Sequence, residues 1–160
     1  MIRMIVQGLT IDPATNSPIL ILKDPDTERA LPIWIGLLEA TAIASELEKV
    51  SFSRPMTHDL LRNVINQLGY SVAKVEVVSL KENTFYGLVH LLGPEGPLTV
   101  DSRPSDAIAL ALRAEAPIFV SPAVLEMAGA TGKADSEDAE QKWKELLDQM
   151  DPEDFGKYKM

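Results

Sequence analysis

Apolar residues follow two periods along this chain, and the switches between them mark out the elements. Val6 to Ile11 carries a strand pattern, and Ile19-Leu20-Ile21-Leu22 is a short apolar run of the buried-strand type. Leu31-Pro32-Ile33-Trp34-Ile35 predicts a third strand, which Pro32 confines to an edge or a start and Gly36 ends. The period then becomes helical. Leu38, Ala42, Ile43, Leu47 and Val50 share one face, predicting a helix over 38–50. A second helix is predicted over Thr57 to Leu68, with Pro55 near its start, Thr57 as cap and Gly69 as terminator.

The second half repeats the plan. Strands are predicted over Val72–Leu80, Thr84–Leu92 and Leu98–Val100, with a turn at Gly93-Pro94-Glu95-Gly96. A helix follows over Pro104–Ala114, then Ile118-Phe119-Val120 as a strand and a short helix after Pro122. At a constant offset of 67, Leu31 falls on Leu98, Glu39 on Asp106, Ala40 on Ala107, Ala44 on Ala111, Phe52 on Phe119 and Pro55 on Pro122. This predicts an α+β fold: one domain over 1–130, built from two tandem β-β-β-α-α units. Residues 131–160 are set apart by Gly129, Thr131 and Gly132. They predict an acidic amphipathic helix over 136–150 with Trp143, Leu146, Leu147 and Met150 on one stripe, then a tail.

Composition narrows the function classes. The 160 residues include no cysteine and two histidines, His58 and His90, so thiolate zinc sites, disulfides and imidazole-rich metal centres are excluded. A cytoplasmic protein without a signal peptide is expected, and no apolar run reaches the roughly 20 residues of a membrane span. The net charge is −9, and residues 133–160 carry nine acids against five lysines. That balance opposes nonspecific attraction to nucleic acid and leaves room only for a local basic groove.

Two polar clusters stand out. Asp101-Ser102-Arg103-Pro104-Ser105-Asp106 runs directly into the apolar Ala107-Ile108-Ala109-Leu110-Ala111-Leu112, a segment apolar all round and therefore buried. Polar groups at the mouth of a buried helix either satisfy one another or face a ligand. Pro104 suits the first helical position, which makes Arg103 the cap and puts Asp106 in the first turn, favoured there by the helix dipole. Glu39 has the same explanation in the first half. The second cluster is Ser53-Arg54-Pro55-Met56-Thr57-His58-Asp59, where His58 beside acids has the chemistry of a general base. Two arrangements follow. Glu39, Asp59, Asp101 and Asp106 converge on a divalent cation such as Mg²⁺ or Mn²⁺, with Arg54 and Arg103 on a phosphate. Alternatively the acids pair with the arginines and hold the two halves together. No P-loop, G-x-G-x-x-G, H-E-x-x-H or G-x-S-x-G pattern is present. Trp34 reads as core or interface, and His90 as a cross-strand surface residue.

These segments resemble the bifunctional nuclease family of bacteria and plants. The matching stretches are L-P-I-W-I-G-x-x-E-A-x-A-I-A at 31–44, R-P-M-T-H-D-L-L at 54–61, T-F-Y-G-L at 84–88 and D-S-R-P-S-D-A-I-A-L-A-L-R at 101–113. The P-E-D-F-G-K-Y end at 152–158 resembles the tail of bacterial members. The resemblance implies an α+β fold, DNase and RNase activity, and a homodimer or higher homo-oligomer with nucleic acid as partner. It supplies no catalytic set. From residue chemistry inside these motifs, the candidate catalytic residues are Glu39, His58, Asp59, Asp101 and Asp106. The candidate substrate-binding residues are Arg54, Arg103 and Ser105. The competing reading is a non-enzymatic oligomeric regulatory or ligand-binding module whose polar clusters are structural.

Overall fold

Each half of the chain builds three antiparallel strands and then a helix. A computed structural model describes residues 1–131, with side chains through Gly129. The first half contains β1 (Ile2–Ile11), β2 (Pro18–Lys23), β3 (Arg29–Trp34), α1 (Leu37–Leu47) and α2 (Thr57–Gln67). The second contains β4 (Ser71–Lys81), β5 (Thr84–Gly93), β6 (Gly96–Ser102), α3 (Pro104–Ala114), β7 (Ile118–Val120) and α4 (Pro122–Ala128), followed by the two-residue β8 (Ala130–Thr131). This is a mixed α+β fold. The predicted acidic helix over 136–150 lies outside the described residues.

All the strands join one sheet in the order β6-β5-β4-β7-β1-β2-β3-β8. Its seam is β7, which pairs parallel with β4 (Val75 opposite Ile118) and antiparallel with β1 (Met4 opposite Ile118). A strand of three residues thus splices two three-stranded meanders. β1 starts at Ile2 rather than Val6, because Ile2, Arg3 and Met4 are recruited by β7. Such pairing depends on a partner more than a hundred positions away, which local alternation does not report.

The helices cover one face. α1 packs on α3, α2 packs on α3 and β4, and α3 lies over β4 and β5. α3 is the central helix, as its all-round apolar pattern requires: Ala107, Ile108, Ala109, Leu110 and Ala111 are all buried. They meet Leu20, Leu22, Ile43, Val75 and Val120 in a single core. The two helices at offset 67, α1 and α3, have the same length, 11 residues. α2 begins with Met56, not Thr57, in the cap position; the Asp59 carboxylate accepts from the Met56 amide at 3.0 Å. Trp34 is not core. It is 55% exposed, and its indole N–H donates to Asp12 Oδ2 at 3.1 Å. Among the described residues no helix is long and apolar enough to cross a membrane.

Candidate functional site

The site is built where the N-termini of α1, α2 and α3 meet. Arg103 caps α3 in an extended conformation, Pro104 takes the first helical position, and Asp106 takes the third. Glu39 occupies the same third position of α1, after Gly36 at its cap. The two carboxylates share one guanidinium: Arg103 donates through Nε to Asp106 Oδ2 at 2.7 Å and through Nη1 to Glu39 Oε1 at 2.8 Å. The other oxygen of Asp106, Oδ1, lies 2.9 Å from His58 Nε2 in the first turn of α2. Burial works against the charge on Asp106. The hydrogen bonds and charges of Arg103 and His58 outweigh it and hold the carboxyl below its ordinary value.

That charge state fixes the tautomer of His58. An ionised carboxylate only accepts, so Nε2 carries a proton, and in the neutral form of the ring Nδ1 is the nitrogen with the lone pair. Asp106 thus does for His58 what an orienting acid does in a base–acid pair: it sets the ring and stabilises the imidazolium if a proton arrives.

Glu39, His58, Arg103 and Asp106 line a cleft of about 420 Å³ whose other walls are largely apolar, with Leu37, Leu38, Phe52 and Met56 among them. A cleft of this size with a few converging polar groups is the usual form of a small binding site.

The ion pairs differ in kind. Arg103 is 65% exposed along its side chain, and exposed pairs of this type contribute about 0–1 kcal/mol. Stability is a weak reason for this cluster. Arg113, only 3% exposed, is the opposite case. It donates to Asp59 Oδ1, to the Ala109 carbonyl and to the Ala42 carbonyl, each at 2.9 Å, and so ties α2, α3 and α1 together behind the cleft.

A glycine sets the approach of α3. A Cβ on Gly87 of β5 would lie 3.0 Å from the Ser102 carbonyl oxygen and 3.3 Å from the Pro104 nitrogen, both backbone atoms. Gly87→Ala is expected to push the β6–α3 junction away and to destabilise the protein by about 1–3 kcal/mol. Urea denaturation against the parent measures it, and an unchanged midpoint would refute this role for the glycine.

Sequence comparison identifies the group. A family model described as the bifunctional nuclease domain matches residues 20–133. The chain belongs to this family. It is 42% identical over 159 residues to an uncharacterized protein of Mycobacterium tuberculosis, covering 94% of this chain and 95% of that protein. It is 26% identical over 111 residues to bifunctional nuclease 2 of Arabidopsis thaliana, and 24% identical over 113 residues to bifunctional nuclease 1 of Oryza sativa subsp. japonica. These alignments cover 34% of each plant protein, so the family domain spans about a third of their length.

Within this bifunctional nuclease domain the sequence-derived site residues separate into groups. Glu39, His58, Arg103 and Asp106 come together. Asp59 points away, onto Arg113. Asp101 does not join them: it is exposed on the edge strand β6, opposite Leu88. Ser105 is buried in the first turn of α3 and enters no ion pair among the described residues. Arg54 is exposed and lines a separate basin beside the cleft. The expected cation site of four convergent carboxylates is therefore not formed. Glu39 and Asp106 are bridged by a guanidinium, and Asp59 is held by another. Among the described residues no three His, Cys, Asp or Glu side chains gather as metal ligands. Arg103 likewise does not stand free: the two acids hold its Nε and Nη1.

Sequence reasoning assigned no role to Arg113. Its signal was present: a charge that follows the apolar run 107–112 must find a partner once the helix is buried. Arg62 was missed for a different reason, since an arginine on a polar helix face carries no such signal.

Proposed function

We propose that this chain hydrolyses phosphodiester bonds of DNA and RNA, with His58 as general base and Asp106 as its orienting acid. The observation that carries this reading is the 2.9 Å contact between His58 Nε2 and Asp106 Oδ1 on the wall of an open cleft. His58 Nδ1 takes a proton from the attacking water or, in RNA, from the 2′-hydroxyl. As the nucleophile's oxygen bonds to phosphorus, negative charge grows on the phosphoryl oxygens. Arg103, held at the rim by Glu39 and Asp106, places its guanidinium charge there. The leaving 5′-oxygen departs with a proton from solvent or from the newly formed imidazolium. Family membership and the names of the plant relatives support the same reaction.

The test is a cleavage assay on labelled single-stranded DNA and RNA using purified protein, with and without chelator. Cleavage that tracks the protein through purification and disappears in His58→Ala is expected. Equal cleavage by that variant would identify a contaminant and defeat the proposal.

A second reading has its own observation. α2 exposes Leu60, Leu61, Val64 and Leu68 on one side. A stripe of this kind fits a homodimer or higher homo-oligomer, in a module whose charged cluster is purely structural. An inactive protein that is dimeric in solution would favour it. The matched span and offset of α1 and α3 also support descent of the two halves from one duplicated unit. A cysteine-free acidic chain suits the cytoplasm.

A further inference from the structure

Beside the cleft lies a second depression, a basin of about 300 Å³ between the C-terminal part of α1, the Ser51–Pro55 loop and α2. Its walls include Ser51, Ser53, Arg54, Arg62, Asn63 and Arg113. Two acids also reach it, and both are engaged: Asp59 with Arg113 at 2.9 Å and Glu46 with Lys49 at 3.4 Å. The arginines are not balanced in the same way. Arg54 pairs with no described residue. Arg62 donates only to neutral acceptors, the Arg113 carbonyl and Asn63 Oδ1, each at 3.3 Å. Two guanidiniums without carboxylate partners among the described residues, on the walls of one basin, suit an anionic ligand.

Basin and cleft have Ser45, Phe52 and Arg113 as common walls, so they lie side by side. We propose that the basin is a phosphate subsite, in which Arg54 and Arg62 hold a backbone phosphate of the polynucleotide next to the phosphodiester presented to His58. The subsite rests on the nuclease reading for the identity of its ligand. It accounts for how an acidic protein retains a polyanion: the charge that matters is confined to one groove, and guanidiniums grip phosphate oxygens in pairs. Ser51, Ser53 and Asn63 add neutral donors beside them.

Binding, not cleavage, tests it. The probe is a short fluorescein-labelled oligothymidylate, titrated by anisotropy at several salt concentrations in chelator, with His58→Ala in every protein so that nothing is cut. The slope of log affinity against log salt counts phosphates engaged, at about 0.7 per contact for single strands. Arg54→Gln is expected to shrink that slope by about one such contact and to weaken binding, and Arg54→Lys to restore the slope. Adding Arg62→Gln should shrink it further. Arg29→Gln, which makes the same change in net charge on β3, should leave it alone. An unchanged slope in Arg54→Gln, an equal drop in Arg29→Gln, or no binding by the parent would each overturn the subsite. Because Arg62 also braces α2, Arg54→Gln alone decides if the double variant melts early. Absence of cleavage by the protein with His58 intact, beside these binding results, would refute the nuclease reading and leave an anion-binding groove standing.

Discussion

Asp106→Asn is expected to slow phosphodiester cleavage by roughly 10²–10⁴-fold, the usual contribution of a positioned general base. The carboxylate accepts from Arg103 on one oxygen and from His58 on the other. An amide has one acceptor and one donor, so either Arg103 or His58 Nε2 meets an N–H. The ring then turns, or the proton moves to Nδ1, and the base is lost. His58→Ala should cost about as much, and the double variant little more, because the two groups act as a unit. Stability should barely change in Asp106→Asn, since Arg103 keeps Glu39 and exposed pairs contribute about 0–1 kcal/mol. Initial rates on DNA and RNA, read beside a denaturation curve, check both halves of the statement. Wild-type rates in Asp106→Asn would remove the base assignment. The pH dependence has a definite sign. A carboxyl held below its ordinary value contributes stability that is complete above the unfolded-state value and is lost as pH falls through the folded one. The contribution of Asp106 is therefore complete above the ordinary carboxylate range and is lost only below it.

Arg113→Met should destabilise the fold by about 3–5 kcal/mol, the cost of removing one partner from a buried ion pair. Three acceptors lose their donor together: Asp59 Oδ1 and the carbonyls of Ala109 and Ala42. Asp59 retains the Met56 amide on its other oxygen, which limits but does not cancel the loss. Asp59→Asn alone should cost less, because its side chain is 24% exposed and an amide oxygen can still accept from Arg113. The midpoint of urea denaturation, at unchanged slope, measures these differences. A loss below about 1 kcal/mol for Arg113→Met would mean the pair is not what holds the three helices together.

The sequence made α3 fully legible. Pro104 marks its first residue, its apolar run requires burial, and both expectations hold over 104–114. The hairpin of β4 and β5 was equally readable, because turn residues and alternation are local signals. The position of β7 between β4 and β1 was not, since three apolar residues do not name their neighbours. β8 fell in a stretch read as linker: its backbone pairs with Arg29 and Ala30, and neither its length nor its composition marks a strand. At the site, residue type predicted the acids of α1 and α3 and the histidine of α2. Their partnering was invisible. Asp101 and Asp106 are five positions apart, yet the first belongs to an edge strand facing solvent and the second to a helix facing the cleft. Only the strand-to-helix switch at Arg103 separates them, and it also turns Arg103 toward Glu39.

The bonds that define the site span long stretches of chain. Arg103 and Glu39 are 64 positions apart, His58 and Asp106 are 48, and Arg113 and Asp59 are 54. Loops of this length close late in folding, after local hairpins and helices have formed. A chain leaving the ribosome can complete β1 to α2 while none of these contacts exists, because every one needs a residue of α3 or its cap Arg103. The cleft therefore comes into being in one step, when α3 docks between α1 and α2. Under the proposed nuclease function, a half-made protein of this design has no working centre with which to cut the message that encodes it.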